Sequence, residues 1–119
     1  MSLTGTDRIE YNFNSEIQGD TFTGATFVYD VNGTFEDVAS ASICFWSHRP
    51  DGRFCKTSAA SEIGITVGAS NVTLVVNAFS LAPYPVENYR YDVTVTLTDG
   101  TKRTRFFGTL PLLKGYEPS

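Results

Sequence analysis

Residues 89 to 110 read YRYDVTVTLTDGTKRTRFFGTL. Tyr89, Tyr91, Val93, Val95 and Leu97 recur at every second position, with Arg90, Asp92, Thr94, Thr96 and Thr98 between them. Period two with one apolar set is the pattern of a strand that buries one face. Asp99-Gly100 then marks a tight hairpin turn. A two-residue loop there pairs Val93 with Phe106 and Tyr91 with Gly108, keeping the apolar side chains together. A slip of one residue would set Arg105 opposite Val93, so the pattern selects the two-residue loop. Tyr91, Val93, Val95, Phe106 and Leu110 are therefore expected to form one continuous core face.

Outward from this hairpin the same grammar repeats. Gln18-Gly19-Asp20, Asn32-Gly33, Asp51-Gly52 and Gly68-Ala69-Ser70-Asn71 are turn signals. Short runs rich in Val, Ile, Thr, Tyr and Phe lie between them. Expected strands are Arg8 to Asn14, Thr21 to Val31, Ala41 to His48, Arg53 to Thr57, Ile63 to Val67 and Val72 to Asn77. In the third of these, Ile43 and Phe45 share one face, and Cys44 and Trp46 the other. No stretch sustains helical spacing for three turns, and Pro83 and Pro85 limit the 77–81 segment to a single turn. Many short strands with regular turns predict an all-β sandwich or barrel.

The chain has 119 residues, enough for one domain with its own core. Nine basic against thirteen acidic residues leave a net charge of −4, which argues against a general nucleic-acid binder or a basic membrane-surface binder. No apolar run is long enough to span a bilayer as a helix. Met1 to Gly5 shows no charged segment leading into an apolar one, so no secretory signal is read. Residues 1–7 are expected to be an expression remnant or a flexible N-terminus, 8–114 the domain, and 115–119 a flexible tail.

The two cysteines flank Arg49-Pro50-Asp51-Gly52-Arg53, another hairpin signal. A two-residue loop pairs His48 with Cys55, and a three-residue loop pairs Ser47 with Cys55. Neither sets Cys44 opposite Cys55, so both thiols are expected to be reduced. A zinc site would need a second pair of ligands, so no metal is expected.

Chemistry-bearing clusters are sparse. His48 is the only histidine, and neighbouring Ser47 diverges from it on a strand, so no catalytic triad is read. Asp30 to Ala41 lacks the ligand spacing of a calcium loop, and Asn32-Gly33 reads as a plain hairpin turn. His48, Arg49, Arg53 and Lys56 make one hairpin tip basic, and Arg103 and Arg105 alternate with threonines on the last strand. These are either solvated faces or docking surfaces for an acidic protein. Trp46 is either core or an exposed anchor for another subunit or a sugar ring. The candidate interface residues are thus Trp46, His48, Arg49, Arg53, Arg103 and Arg105.

Gly19-Asp20-Thr21-Phe22, Asp30-Val31-Asn32-Gly33-Thr34 with Glu36-Asp37-Val38 and Ala41, and the closing hairpin from Tyr89 to Leu110 carry a wider resemblance. Together they resemble the small immunoglobulin-like β-sandwich domains of bacteriophage and prophage structural proteins, similar to the N-terminal domain of phage baseplate upper proteins. The 30–41 stretch lacks the family's proline, and the 82–89 lead-in lacks its glycine. The resemblance implies an antiparallel immunoglobulin-like β-sandwich of about seven to eight strands. It further implies a non-enzymatic assembly module of the tail, baseplate or neck region, without catalytic residues or cofactor. Its partners would be other virion proteins or copies of itself as a homo-oligomer, with no nucleic acid and no membrane. Its location would be the virion or the bacterial cytoplasm. The alternative reading is a carbohydrate-binding or accessory module of a larger surface or secreted protein.

Overall fold

A computed structural model describes residues 8–31, 36–49 and 52–114. The flexible ends expected at 1–7 and 115–119 lie outside these residues. The described structure is an all-β sandwich without helix. Seven strands of five residues or more carry it: β4 (Ala25–Asp30), β5 (Val38–Trp46), β6 (Arg53–Thr57), β7 (Ile63–Val67), β8 (Asn71–Val76), β10 (Glu87–Leu97) and β11 (Lys102–Leu113). Four two-residue pairings complete the set: β1 (Ile9–Glu10), β2 (Glu16–Ile17), β3 (Thr21–Phe22) and β9 (Phe79–Ser80).

The larger sheet has the order β1-β11-β10-β5-β6, with β2 also on β11; the smaller has the order β4-β8-β7, and β3 pairs with β9. Pairing is antiparallel except where β1 and β2 run parallel to β11. The core lies between the two sheets, because each strand turns its apolar set inward. Phe27, Tyr29, Leu74 and Val76 come from one sheet and Ile43, Phe45, Tyr91, Val93 and Phe106 from the other. Phe27 meets Phe106 across the layers, with ring centroids 4.7 Å apart. The predicted face of Tyr91, Val93, Val95, Phe106 and Leu110 is buried throughout. At the start of β10, the Tyr89 hydroxyl donates to the Pro85 carbonyl at 2.7 Å and pins the incoming loop.

The expected first strand, Arg8 to Asn14, is shortened to β1. Beyond it, the Tyr11 and Phe13 N–H groups donate to the Phe107 and Thr109 carbonyls at 2.9 Å, so the segment still runs along β11. It can do so because residue 108 is glycine: a Cβ there would strike the Tyr11 backbone. The run from Thr21 to Val31 breaks at Gly24, whose φ is +101°. The expected hairpin turn at Asn32-Gly33 lies outside the described residues; the strands on either side do not pair with each other, since β4 pairs with β8 in one sheet and β5 with β10 in the other.

The closing hairpin corrects the two-residue loop. Leu97 N–H donates to Thr101 O at 2.8 Å, closing a three-residue loop of Thr98, Asp99 and Gly100. Gly100 supplies the left-handed residue such a loop needs, with φ +91°. Near the turn the register is therefore slipped by one, with Val95 opposite Arg103. A bulge between Val93 and Thr94 takes the slip up again, and Val93 faces Phe106 as expected. Arg105 is the extra residue. A bulge turns consecutive side chains the same way, and both Arg105 and Phe106 point into the protein.

The β5–β6 hairpin corrects the thiol expectation. Trp46 pairs with Arg53, Phe45 with Phe54 and Cys44 with Cys55. Ser47 N–H donates to Gly52 O at 2.7 Å, which makes a longer loop than either expected one. With Ser47–Gly52 bonded, alternation makes Cys44–Cys55 a non-hydrogen-bonded pair, where the backbones approach most closely. The Cα atoms are 4.1 Å apart and the cysteines form a disulfide. The closed loop is short, so the bond is expected to contribute about 3 kcal/mol. A saturating reductant should lower the melting temperature by roughly 10 °C. An unchanged melting curve, with both thiols shown to be free, would contradict that contribution.

Candidate functional site

The six candidate residues do not form one surface. Arg105 is 1% exposed and belongs to the core. Its guanidinium pairs through Nη2 with Glu36 Oε2 and lies 4.8 Å from the centre of the Tyr29 ring. The Tyr29 hydroxyl donates to Glu36 Oε1 at 3.2 Å. Burial first, then the Glu36 charge, pushes the Tyr29 phenol well above its ordinary range, so it stays a donor. Arg103 is opposite Val95 and turns to the same side, with Nε 3.9 Å from Glu36 Oε2. The expected outward patch of Arg103 and Arg105 is thus split: the bulge turns Arg105 into a buried pair with Glu36, while Arg103 stays exposed and approaches the same carboxylate from the surface. Glu36, from the stretch compared with a calcium loop, is the shared anion. Among the described residues no three His, Cys, Asp or Glu side chains are placed to hold a metal ion.

The hairpin tip is partly matched within the chain. His48 is largely exposed, with Nδ1 3.9 Å from Glu87, and Arg49 lies 3.7 Å from the same carboxylate. Lys56 turns inward, 3.5 Å from Glu62 and 4.6 Å from the centre of the Phe79 ring.

Trp46 resolves the other way. Phe45 and Ile43 fill the core, so Trp46 and Cys44 stand on the outer face of the larger sheet. Trp46 pairs with Arg53 on one side and Arg90 on the other, giving a row Arg53–Trp46–Arg90 across β6, β5 and β10. The next row is Cys55–Cys44–Asp92–Phe107, and the third contains Ser42 and Thr94. Arg8 lies 5.7 Å above the Phe107 ring.

Three shallow depressions adjoin at the indole. The first, of about 360 Å³, is lined by Ser42, Cys44, Trp46, Arg53, Asp92 and Thr94. The second includes His48, Asn88 and Arg90, and the third Arg8, Asp92 and Phe107. A further cleft of about 340 Å³ opens elsewhere, between the N-terminal segment and β3–β4. Its rings already pack on one another, as Phe13 does on Phe22 and Phe27, which makes it a seam of the sandwich.

Asp92 carries the electrostatic signature of the outer face. Burial raises its pKa above the ordinary 3.8, and nearby Arg53 offsets part of the rise. The folded state therefore holds the Asp92 proton more tightly than the unfolded chain does. Stability is lost as pH rises through the folded pKa and regained on acidification toward 3.8. Asp92→Asn should raise the urea midpoint at neutral pH, and the gain should vanish near the unfolded carboxylate pKa. A midpoint lowered by the substitution at neutral pH would contradict this account.

Arg90, Asp92 and Phe107 were not among the candidate residues. The first two were legible as the polar face of β10. What was missing was the register that sets them beside Trp46. Comparisons with family models, with curated proteins and with solved structures gave no match to this chain.

Proposed function

We propose that the chain is a non-enzymatic assembly module that docks through the outer face of its larger sheet, as a component of a phage or prophage particle. One observation carries the reading: a half-buried indole stands outside a complete core, in a row between two arginines. Large apolar groups left on a sheet face favour association. Trp and Arg are the residue types most enriched at the energetic centres of interfaces. Arg8, Arg53 and Arg90 surround the indole while the chain as a whole is acidic, so the face complements the charge of further copies and of acidic neighbours. The strand order supports an immunoglobulin-like sandwich: β4-β8-β7 against β5-β10-β11, with the Tyr89 hydroxyl bonded back to the loop before β10. An immunoglobulin-like sandwich is what the resemblance to the phage domains implies, and this order is consistent with it.

The carbohydrate reading would gather Trp46 with tyrosines such as Tyr84 on one exposed face or at the loops. Tyr84 instead stacks on Phe54, centroids 3.7 Å apart, on the opposite face of the sheet from Trp46. Protein docking is therefore preferred. Light scattering over a range of micromolar concentrations tests it. Wild type is expected to associate, and Trp46→Ser to stay folded and monomeric, since its side chain contributes nothing to the core. A wild type that stays monomeric throughout, or a Trp46→Ser variant that associates equally well, overturns self-docking through this face.

A further inference from the structure

We propose that the Cys44–Cys55 disulfide is a thiol-exchange site, opened in the folded protein by a dithiol reductant that attacks Cys55 Sγ. The inference rests on the placement of the bond and is independent of the docking reading.

Thiol–disulfide exchange needs the attacking thiolate in line with the bond, behind the sulfur it attacks. Here the bond crosses from β5 to β6 on the outer face, between directly opposed residues. Beyond Cys44 lies β10, with Asp92 directly opposite and lining the same depression, so a thiolate approaching Cys44 Sγ from that side would meet a carboxylate. Beyond Cys55 the sheet ends, because β6 is its last strand. Cys55 is exposed, whereas Cys44 is half-buried. Access, line of attack and the Asp92 carboxylate beside Cys44 all select the same sulfur.

The step balances as follows. A reductant thiolate bonds to Cys55 Sγ and the protein S–S bond breaks. Its electron pair leaves on Cys44 Sγ, which takes a proton from water. The second thiol of the reductant, deprotonated, attacks the reductant sulfur of the mixed disulfide and releases Cys55 as a thiolate, which is protonated in turn. The protein gains two electrons and two protons, and the dithiol becomes a disulfide.

The fold does not need the bond to keep its register. Beneath it, Phe45 stacks on Phe54 with centroids 4.6 Å apart, and Phe54 stacks on Tyr84. Opening removes the covalent cross-link between β5 and β6 and leaves their backbone pairing in place.

The experiment adds dithiothreitol to the native protein and counts free thiols with time, in buffer and in urea well below the unfolding midpoint, with circular dichroism recorded alongside. Two thiols per chain are expected to emerge while the β-sheet signal persists, at a rate independent of low urea. Glutathione, quenched early in acid and mapped by mass spectrometry, should be found on Cys55. Thiols that emerge only as the protein unfolds, or a glutathione adduct on Cys44, overturn the proposal.

Discussion

Val93→Asp is expected to cost on the order of 5 kcal/mol and to unfold much of the protein. Val93 has no exposure and sits between Ile43 on β5 and Phe106 on β11. Its directly paired neighbours are both apolar, and the buried guanidinium at the adjoining bulge, Arg105, is already paired with Glu36. A carboxylate there must be desolvated without a partner or take up a proton, and the branched apolar packing is lost in both cases. Thr96→Asp is the control. It lies on the outer face opposite Lys102 and should change stability by less than about 1 kcal/mol. Urea unfolding of the two variants measures the difference. Equal losses would mean that the two faces of β10 have been assigned the wrong way round.

The second large effect concerns the ion cluster under the bulge. Glu36→Gln keeps the shape and an acceptor for Tyr29 but removes the negative charge facing Arg105. An uncompensated buried cation remains, so a loss of about 3–5 kcal/mol is expected, or a melting point lower by roughly 10–20 °C. Arg105→Met should cost less. Glu36 is 8% exposed against 1% for Arg105, and it retains Arg103 at 3.9 Å. Replacing both, as Glu36→Leu with Arg105→Met, should recover most of the loss, because removing both charges also removes their desolvation cost. Thermal melts of the two single variants and the double variant give the coupling directly. A Glu36→Gln variant within about 1 kcal/mol of wild type would show that the cluster does not depend on the charge.

Both effects trace back to how far alternation can be read. The period of two placed Tyr91, Val93, Val95, Phe106 and Leu110 on one buried face, and the structure agrees at each residue. It did so although the loop at Asp99-Gly100 was read one residue too short. The bulge at Arg105 restores the register beyond it, so two departures cancel. The bulge was not legible because its reward is distant: the carboxylate that receives Arg105 lies 69 residues away in the chain. An arginine among threonines looks like a solvated strand until Glu36 and Tyr29 are seen beside it.

What the sequence by itself determined is therefore the fold class and the buried face of the closing hairpin. Turn residues and alternating apolar side chains specify eight strands, of which the structure keeps seven at five residues or more, and alternation fixes a buried side only where one face is polar, so it left the Trp46 face of β5 open. Register was decided only in three dimensions. For β5 and β6, the observed pairing of Cys44 with Cys55 and one of the two expected pairings, His48 with Cys55, differ by an even shift, while the other, Ser47 with Cys55, differs by an odd one. An even shift leaves every side chain on the same face, so alternation cannot choose between the pairings it relates. The tertiary structure chooses, through the stack of Phe45 on Phe54 and of Phe54 on Tyr84. That choice brings the cysteines within bonding distance and sets Trp46 between Arg53 and Arg90. The candidate site thus exists only because distant rings pack beneath it.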